Sequence, residues 1–261
     1  MKHKLSMFAL TALVGICSAA AASADDWATL KLKVVYDGPA PKLKPLDGTK
    51  EPFCAGLQIP DARMVVGPKG ELANFGVVMD MRKSEATAIH PDLANPPEKP
   101  LVIDNKKCVF LPRVAFAYAG QKVIVTNNDP CGHNYKVDPF SNDSVNMLVP
   151  IGGQIEVEFK DGERSNFTEF TCTIHPWMKG QLIIRDHPYV GISGTDGVVT
   201  IEKLPVGEVT FKLVHENMKK SIDEGKLDGK KDKWRSGYIE FELKPGMNEH
   251  TLTLDPDLFE D

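Results

Sequence analysis

Long apolar runs and clusters of basic residues are both missing from the mature part of this 261-residue sequence. Beyond residue 24, no stretch approaches the ~20 apolar residues that a transmembrane helix requires. Acidic residues outnumber basic ones, with 36 Asp and Glu against 31 Lys and Arg. An acidic chain without basic patches is a poor partner for nucleic acids and anionic membranes. We therefore expect no membrane span and no nucleic-acid partner.

Two catalytic arrangements are also missing. The sequence has no His-x-His pair, which multicopper oxidases need for their trinuclear cluster. It has no recognisable Ser or Cys nucleophile with a base and an orienting acid. These absences argue against an enzyme and favour a binding or carrier function.

The first 24 residues predict a secretory signal peptide. Lys2 and Lys4 form a basic start, residues 7–17 are apolar, and Ala22-Ser23-Ala24 is an A-x-A cleavage site. Their removal takes away two lysines and no acid, so the mature net charge is 29 − 36 = −7. We expect an exported chain that is secreted or periplasmic.

The mature chain retains four cysteines, namely Cys54, Cys108, Cys131 and Cys172. In an exported protein, four cysteines indicate two disulfides, and three connectivities are possible. A metal-binding role for any of these cysteines competes with that interpretation.

Short apolar runs separated by Gly, Pro and Asx turns predict an all-β chain. No segment has apolar residues at helical spacing over three turns. Residues 83–100 and the charge-rich 216–236 are predicted to be exposed loops. The predicted strands cover residues 30–36, 64–66, 75–81, 101–103, 109–111, 114–118, 122–126, 149–159, 167–171, 181–184, 199–201, 209–213, 238–243 and 251–254.

One predicted turn concentrates soft metal-binding groups. Cys172, His175 and Met178 lie within seven residues, between the strands predicted at 167–171 and 181–184. Thiolate and imidazole ligands suit copper, and a distant Met beside two His and one Cys is typical of blue-copper sites. His133 follows the strand at 122–126 and supplies the second imidazole. The 38 residues between His133 and Cys172 allow one hairpin excursion that returns to the same end of a sandwich.

These residues resemble the cupredoxin family. The C-x-x-H-x-x-M loop ending in Lys-Gly is similar to the short loop of the amicyanin and pseudoazurin branch. The resemblance covers residues 101–186, and from Cys54 onward the chain looks more loosely like secreted methylamine-utilisation-type proteins. The matching residues upstream of the loop are Phe110, Pro112, Gly120, Val123, Val125, Asn127, His133 and Asn134.

The resemblance implies a cupredoxin-like Greek-key β-sandwich that holds one type 1 copper ion. Its implied ligands are His133, Cys172, His175 and Met178. Asn134 would tie the two ligand loops together. In the family, the ring edge of the loop His reaches the surface and passes the electron. Pro176 and Trp177 would flank that edge and form a docking patch for a redox partner, whose identity the sequence does not give.

Copper at Cys172 would leave three cysteines, which cannot all pair. Because Cys131 lies inside the ligand loop, we expect a Cys54–Cys108 disulfide. Cys131 departs from the usual family pattern. An inert thiol is the favoured interpretation, while an additional copper contact and a redox-sensitive residue are the alternatives. A Cys131–Cys172 disulfide would abolish the copper site.

Two units are predicted in the mature chain. Residues 25–187 form the copper domain with an N-terminal extension, and residues 188–261 form a C-terminal β module. Within that module, residues 189–214 weakly resemble a carboxypeptidase-regulatory-type β-sandwich. The strand at 30–36 fits either unit.

The predicted function is single-electron transfer between redox partners. The alternative is a periplasmic copper carrier that stores or delivers the ion, and a metal-free structural sandwich is a further possibility. The other histidines lack partners at metal spacing and are predicted to be surface or strand residues, namely His90, His187, His215 and His250.

Overall fold

The computed structural model describes residues 27–49 and 51–260, so the predicted signal peptide lies outside the described residues. Apart from one short helix and two 3-10 turns, the regular structure there is β, which confirms the predicted all-β fold class. No helix of the described part is long and apolar enough to cross a membrane. The elements are β1 (Trp27–Tyr36), α1 (Pro52–Ala55), β2 (Gly76–Met79), β3 (Leu101–Lys106), β4 (Val109–Leu111), β5 (Val114–Tyr118), β6 (Lys122–Asn127), β7 (His133–Val137), β8 (Val145–Val149), β9 (Gln154–Glu158), β10 (Thr168–Thr171), β11 (Lys179–Arg185), β12 (Val190–Ile192), β13 (Val198–Pro205), β14 (Gly207–Val214), β15 (Glu224–Leu227), β16 (Lys230–Lys233), β17 (Tyr238–Leu243) and β18 (Gly246–Leu254).

Strands β3 to β11 form one β-sandwich, which we call the central sandwich. Its two sheets have the strand orders β5-β11-β10-β7-β8 and β4-β3-β6-β9. Neighbours such as β3 with β6 and β5 with β11 are parallel and not consecutive, so connections cross between the sheets. Alternate residues of each strand point inward, and aromatic rings of Phe110, Tyr135 and Phe170 fill the core.

Both ends of the described chain build a second sandwich, which we call the terminal sandwich. Its sheets have the orders β13-β1-β18-β15-β16 and β12-β2-β14-β17. Leu30, Leu32 and Val34 alternate into its core with no exposed surface. Strand β1, which by sequence fitted either predicted unit, pairs with β13 and β18, and both of these strands follow residue 187. The division of the chain at residue 187 stays a prediction. The core of the terminal sandwich also contains residues from β1 and β2, which precede residue 187.

Apolar side chains and an ion pair join the two sandwiches. Val78 and Val214 of the terminal sandwich pack with Ile183 of the central sandwich. Arg113 binds Glu216 through two parallel N–H···O bonds of 2.6 and 2.7 Å, and both side chains are largely buried. Such bidentate pairs add geometric specificity as well as energy, so the pair contributes to the orientation of the two sandwiches along with the apolar contacts.

Several local predictions differ from the structure. Strand β7 was not predicted because its buried residues include His133 and Asn134, which break the apolar alternation. The single strand predicted at 149–159 is two strands, separated by a turn in which Gly152 has φ +67°. Residues 64–66 form only an isolated bridge, between Val66 and Leu72. The charged 216–236 segment contains the β15–β16 hairpin.

The prediction of surface or strand positions was wrong for two histidines, which lie buried outside strands. His187 is 5% exposed and His215 is 2% exposed. Each accepts a backbone N–H at Nδ1, from Tyr189 and Asn217 respectively. Burial lowers the pKa of both imidazoles from 6.5 to about 4. Both rings are therefore held neutral as hydrogen-bond acceptors, His187 in the connection before β12 and His215 directly after β14.

This burial makes stability pH-dependent, and His215→Gln tests it. Below pH 6.5 the unfolded chain takes up a proton that folded His215 does not accept until about pH 4. The free energy of unfolding therefore falls as the pH drops through this window, by about 2 kcal/mol between pH 7.5 and pH 5 for one such group. Urea unfolding of the metal-free chain at the two pH values should show a smaller difference in the variant, by about this amount. Equal pH dependence in His215→Gln and the wild type would contradict this account.

Candidate metal centre

Three donor atoms converge at one end of the central sandwich. The Nδ1 atoms of His133 and His175 are 2.8 Å apart, and the Cys172 Sγ lies 3.9 and 3.6 Å from them. All three side chains are buried, with at most 2% of their surface exposed. The structure thus brings together two imidazoles and a thiol from segments 39 residues apart.

Strand register explains why these segments meet. Strand β7 pairs antiparallel with β10, and Thr171 stands opposite Lys136. Continuing this register places the residues after Thr171 beside the start of β7, where His133 lies. Residues 172–178, the ligand loop, then turn back into β11. Two backbone bonds close this loop, from Cys172 N–H to Met178 O and from Met178 N–H to His175 O.

Asn134 connects the two halves of the site. Its Oδ1 accepts bonds from the Thr173 N–H at 2.6 Å and the Thr173 hydroxyl at 3.0 Å. Its own backbone N–H donates to the Cys172 Sγ at 3.4 Å. Because Asn134 follows His133 directly, these bonds hold one donor segment against the other. The resemblance to cupredoxins implied a tie of this kind for Asn134.

The donor spacing fits a single small metal ion. Nitrogen ligands at about 2.0 Å from a tetrahedral ion stand about 3.3 Å apart, and sulfur and nitrogen ligands about 3.5 Å apart. The observed distances of 2.8, 3.6 and 3.9 Å require shifts of about half an ångström. Burial lowers the pKa of both imidazoles, and Asp129 and Glu51 oppose this effect. Neutral rings keep a lone pair for a metal.

The outer nitrogen of His133 is held by Asp129, a residue that the sequence analysis missed. The His133 Nε2 lies 3.0 Å from the Asp129 Oδ2, and both side chains are buried. The same carboxylate accepts the backbone N–H groups of Lys107 and Cys108. A carboxylate behind a ligating His fixes the ring orientation and raises its basicity. The spacing Asp129-x-x-x-His133 was the available signal.

Met178 and Trp177 complete the ligand loop on its inner side. Met178 is 1% exposed within the core of the central sandwich. Trp177 is partly buried, and its Nε1–H donates to the Cys108 carbonyl at 3.2 Å. Pro176, between His175 and Trp177, is exposed. The indole therefore packs toward the protein, whereas Pro176 faces outward.

Residues 51–59, which we call the cap segment, cover the ring of His175. The cap segment contains α1, and Glu51 at its start lies 3.8 Å from the His175 Nε2 through Oε2. Cys54 of α1 forms a disulfide with Cys108, as the sequence analysis expected. The expected surface-exposed His175 edge is therefore wrong for this chain, since the ring is 2% exposed. An N-terminal segment supplies the cover, and no local pattern around residue 175 indicated it.

The thiol of Cys131 lies under the cap segment. Of the cysteines in the described part of the chain, Cys131 and Cys172 are free. The Cys131 Sγ is 3.6 Å from the His133 Nε2, on the ring edge opposite the Cys172 thiol. The structure contains no Cys131–Cys172 disulfide among these residues, so the thiol of Cys172 is free to act as a ligand.

No protein-family model matches the chain, and no curated protein is significantly similar to it. Solved structures with a cupredoxin-like fold are similar to part of it. A copper-containing nitrite reductase from Thermus scotoductus SA-01 is 21% identical over 37% of this chain, with a TM-score of 0.31. A purple cupredoxin from Nitrosopumilus maritimus is 21% identical over 32% of this chain, and a reduced amicyanin variant 15% over 42%, with TM-scores of 0.26 and 0.30. The match spans 27% of the nitrite reductase and 98% of each of the other two.

The Asn134 contact generates a stability prediction for the metal-free chain. Asn134→Ala removes the acceptor of two Thr173 bonds and should lower the free energy of unfolding by about 1–2 kcal/mol. Asn146→Ala is the matched control, because it removes only the exposed acceptor of the Asn134 Nδ2 and leaves both Thr173 bonds. Its effect should stay within about 0.5 kcal/mol. Urea unfolding measures both values, and equal losses would argue against a tie between the loops.

Proposed function

We propose that this chain is a single-copper electron-transfer protein. His133, Cys172, His175 and Met178 hold the ion, and single electrons pass between redox partners outside the cytoplasm, in the periplasm or the medium. The observation that carries the proposal is the convergence of two Nδ1 atoms and one Sγ within 3.9 Å in a buried pocket. Thiolate, imidazole and thioether ligands together favour copper over harder metals.

When bound, copper would supply a one-electron couple between Cu(II) and Cu(I). The protein's contribution is to keep the ligands in place in both oxidation states. Asn134 holds the ligand loop, Asp129 orients His133, and the β7–β10 pairing fixes the distance between the two donor segments. Ligands that are already assembled need little movement when the charge of the site changes.

Electron transfer is favoured over copper delivery by the burial of the site. A carrier that hands over its ion needs ligands that open to a partner or to solvent. Here His133 and Cys172 have no exposed surface, and Glu51 and the disulfide-linked α1 cover His175. This arrangement supports retention of the ion. Pro176 and the cap segment, which form the outer surface nearest His175, are the proposed partner contact, with Trp177 packed beneath.

A non-catalytic role is part of the proposal. The two imidazoles and the thiol are buried and face each other, so the described site offers no cleft in which a substrate would reach the metal. Two pockets of the described chain lie away from this site, one beside Trp234 and Tyr238 and one around Asp80, Arg185 and His187.

A visible spectrum tests the proposal directly. The mature chain with one equivalent of Cu(II) should show an intense thiolate-to-copper charge-transfer band, and Cys172→Ser should abolish it. His175→Ala should weaken copper retention against a chelator, while His250→Ala, at a partly exposed ring on β18, should leave it unchanged. A folded wild-type chain without the band would exclude the site. Loss of copper to the chelator over repeated reduction and oxidation would instead favour the copper-carrier alternative.

The Glu51 carboxylate beside His175 generates a kinetic prediction. In the copper-loaded chain, Glu51→Gln removes one negative charge at the proposed electron exit with little change in shape. In water, two unit charges about 6 Å apart interact with an energy of about 0.7 kcal/mol. Oxidation of the reduced chain by an anionic complex should therefore become about threefold faster at low ionic strength.

Oxidation by a cationic complex tests the same exit, with an effect of the opposite sign. Its reaction with Glu51→Gln should slow by a similar factor, and high salt should reduce both effects. Glu240→Gln, an exposed position on β17 of the terminal sandwich, is the control and should change neither rate. Stopped-flow absorbance gives the second-order rate constants. Equal effects of the Glu51 and Glu240 variants would place the exit elsewhere.

A further inference from the structure

Three cysteine sulfurs meet beneath the cap segment, beside the copper site proposed above. The Cys131 Sγ lies within 4.8 Å of the Cys54 Sγ and of a His175 ring nitrogen. It also lies within 4.8 Å of the Cys108 Sγ and of an Asp129 carboxylate oxygen. All three cysteines are buried, with Cys131 the most exposed at 7%. They come from α1, the β3–β4 turn and the loop before β7.

The Cys131 Sγ lies near both sulfurs of the Cys54–Cys108 disulfide. The proposed copper site does not need this placement, because its thiol ligand is Cys172.

We propose that opening the Cys54–Cys108 disulfide creates a second metal site, in which Cys54, Cys108 and Cys131 bind one Cu(I) ion. The opening is a two-electron reduction by a dithiol. The S–S bond breaks, two protein thiols form, and the dithiol becomes a cyclic disulfide. Binding of Cu(I) to the three sulfurs then releases their protons to solvent, with no change in the oxidation state of the metal.

The geometry suits three sulfur ligands around one ion. Sulfurs at about 2.3 Å from a metal in a trigonal plane stand about 4 Å apart. Cys131 is already within 4.8 Å of each of the other two sulfurs. The Cα atoms of Cys54 and Cys108 are 5.8 Å apart. Once the bond is open, side-chain rotation can therefore separate their sulfurs to the spacing of about 4 Å that a trigonal site needs. Thiolates select Cu(I) among the biological copper states.

The second site would lie next to the first, on the other side of the His133 ring. The His133 ring has the Cys172 Sγ 3.9 Å from Nδ1 and the Cys131 Sγ 3.6 Å from Nε2. One imidazole therefore separates the two sulfur groups, and the two ions would sit on either edge of it. The chain would hold one copper ion when its disulfide is intact and a second one under reducing conditions.

An anaerobic Cu(I) titration against bicinchoninate tests this proposal. The mature chain is titrated with its disulfide intact, and again after reduction by dithiothreitol and removal of the reductant. The intact chain should bind one equivalent and the reduced chain two. Cys131→Ser should bind one equivalent in both states. Cys172→Ser should gain one equivalent on reduction, as the wild type does.

The variants separate this proposal from the proposed function. A reduced wild-type chain that binds no more Cu(I) than the intact chain would overturn the second site alone. A gain that survives in Cys131→Ser would also overturn it, because two freed thiols would then suffice. The double variant Cys54→Ser/Cys108→Ser keeps Cys131 by itself and should show no gain. Failure of the first site has a different signature, namely no Cu(I) bound by the intact wild type.

Discussion

The antiparallel register between β7 and β10 is the constraint on which the candidate site depends. It sets His133 beside the residues that follow Thr171, and so decides that Cys172 and His175 face an imidazole rather than solvent. A shift of one residue would turn the whole of β7 over, because successive side chains of a strand point to opposite faces. His133 would then leave the core, and Asn134 would lose Thr173. Tyr135 and Val137, which lie on the same face of β7 as His133, fix that register through burial.

Several polar side chains are buried at this end of the sandwich and are held by hydrogen bonds. Asp129 accepts two backbone N–H groups and faces His133, while Asn127 donates its side-chain amide to the carbonyls of Cys131 and Val149. Buried polar groups are costly unless they are hydrogen-bonded. The network therefore makes the loop around residues 127–133 rigid before any ion binds. A preformed set of donors is what a one-electron carrier requires of its scaffold.

The sequence predicted the fold class and the donor residues of the ligand loop from local patterns. Alternating apolar residues indicate strands, and a Cys, a His and a Met in one short turn must lie close together. The sequence did not predict β7, since a strand that buries His and Asn does not alternate in polarity. It also did not predict the burial of His175. That cover comes from Glu51 and α1, more than 100 residues earlier in the chain, and only the disulfide and the tertiary packing place them over the ring.

The terminal sandwich is closed by β1 and β18, which lie side by side although their residues are separated by more than 200 positions. The central sandwich is therefore inserted within another folding unit. During synthesis all of its strands emerge before β18 exists, so it can collapse first, while β1 keeps its apolar face uncovered. An incomplete chain that stops before residue 246 would leave the inward face of β1 and one edge of its sheet open to other molecules.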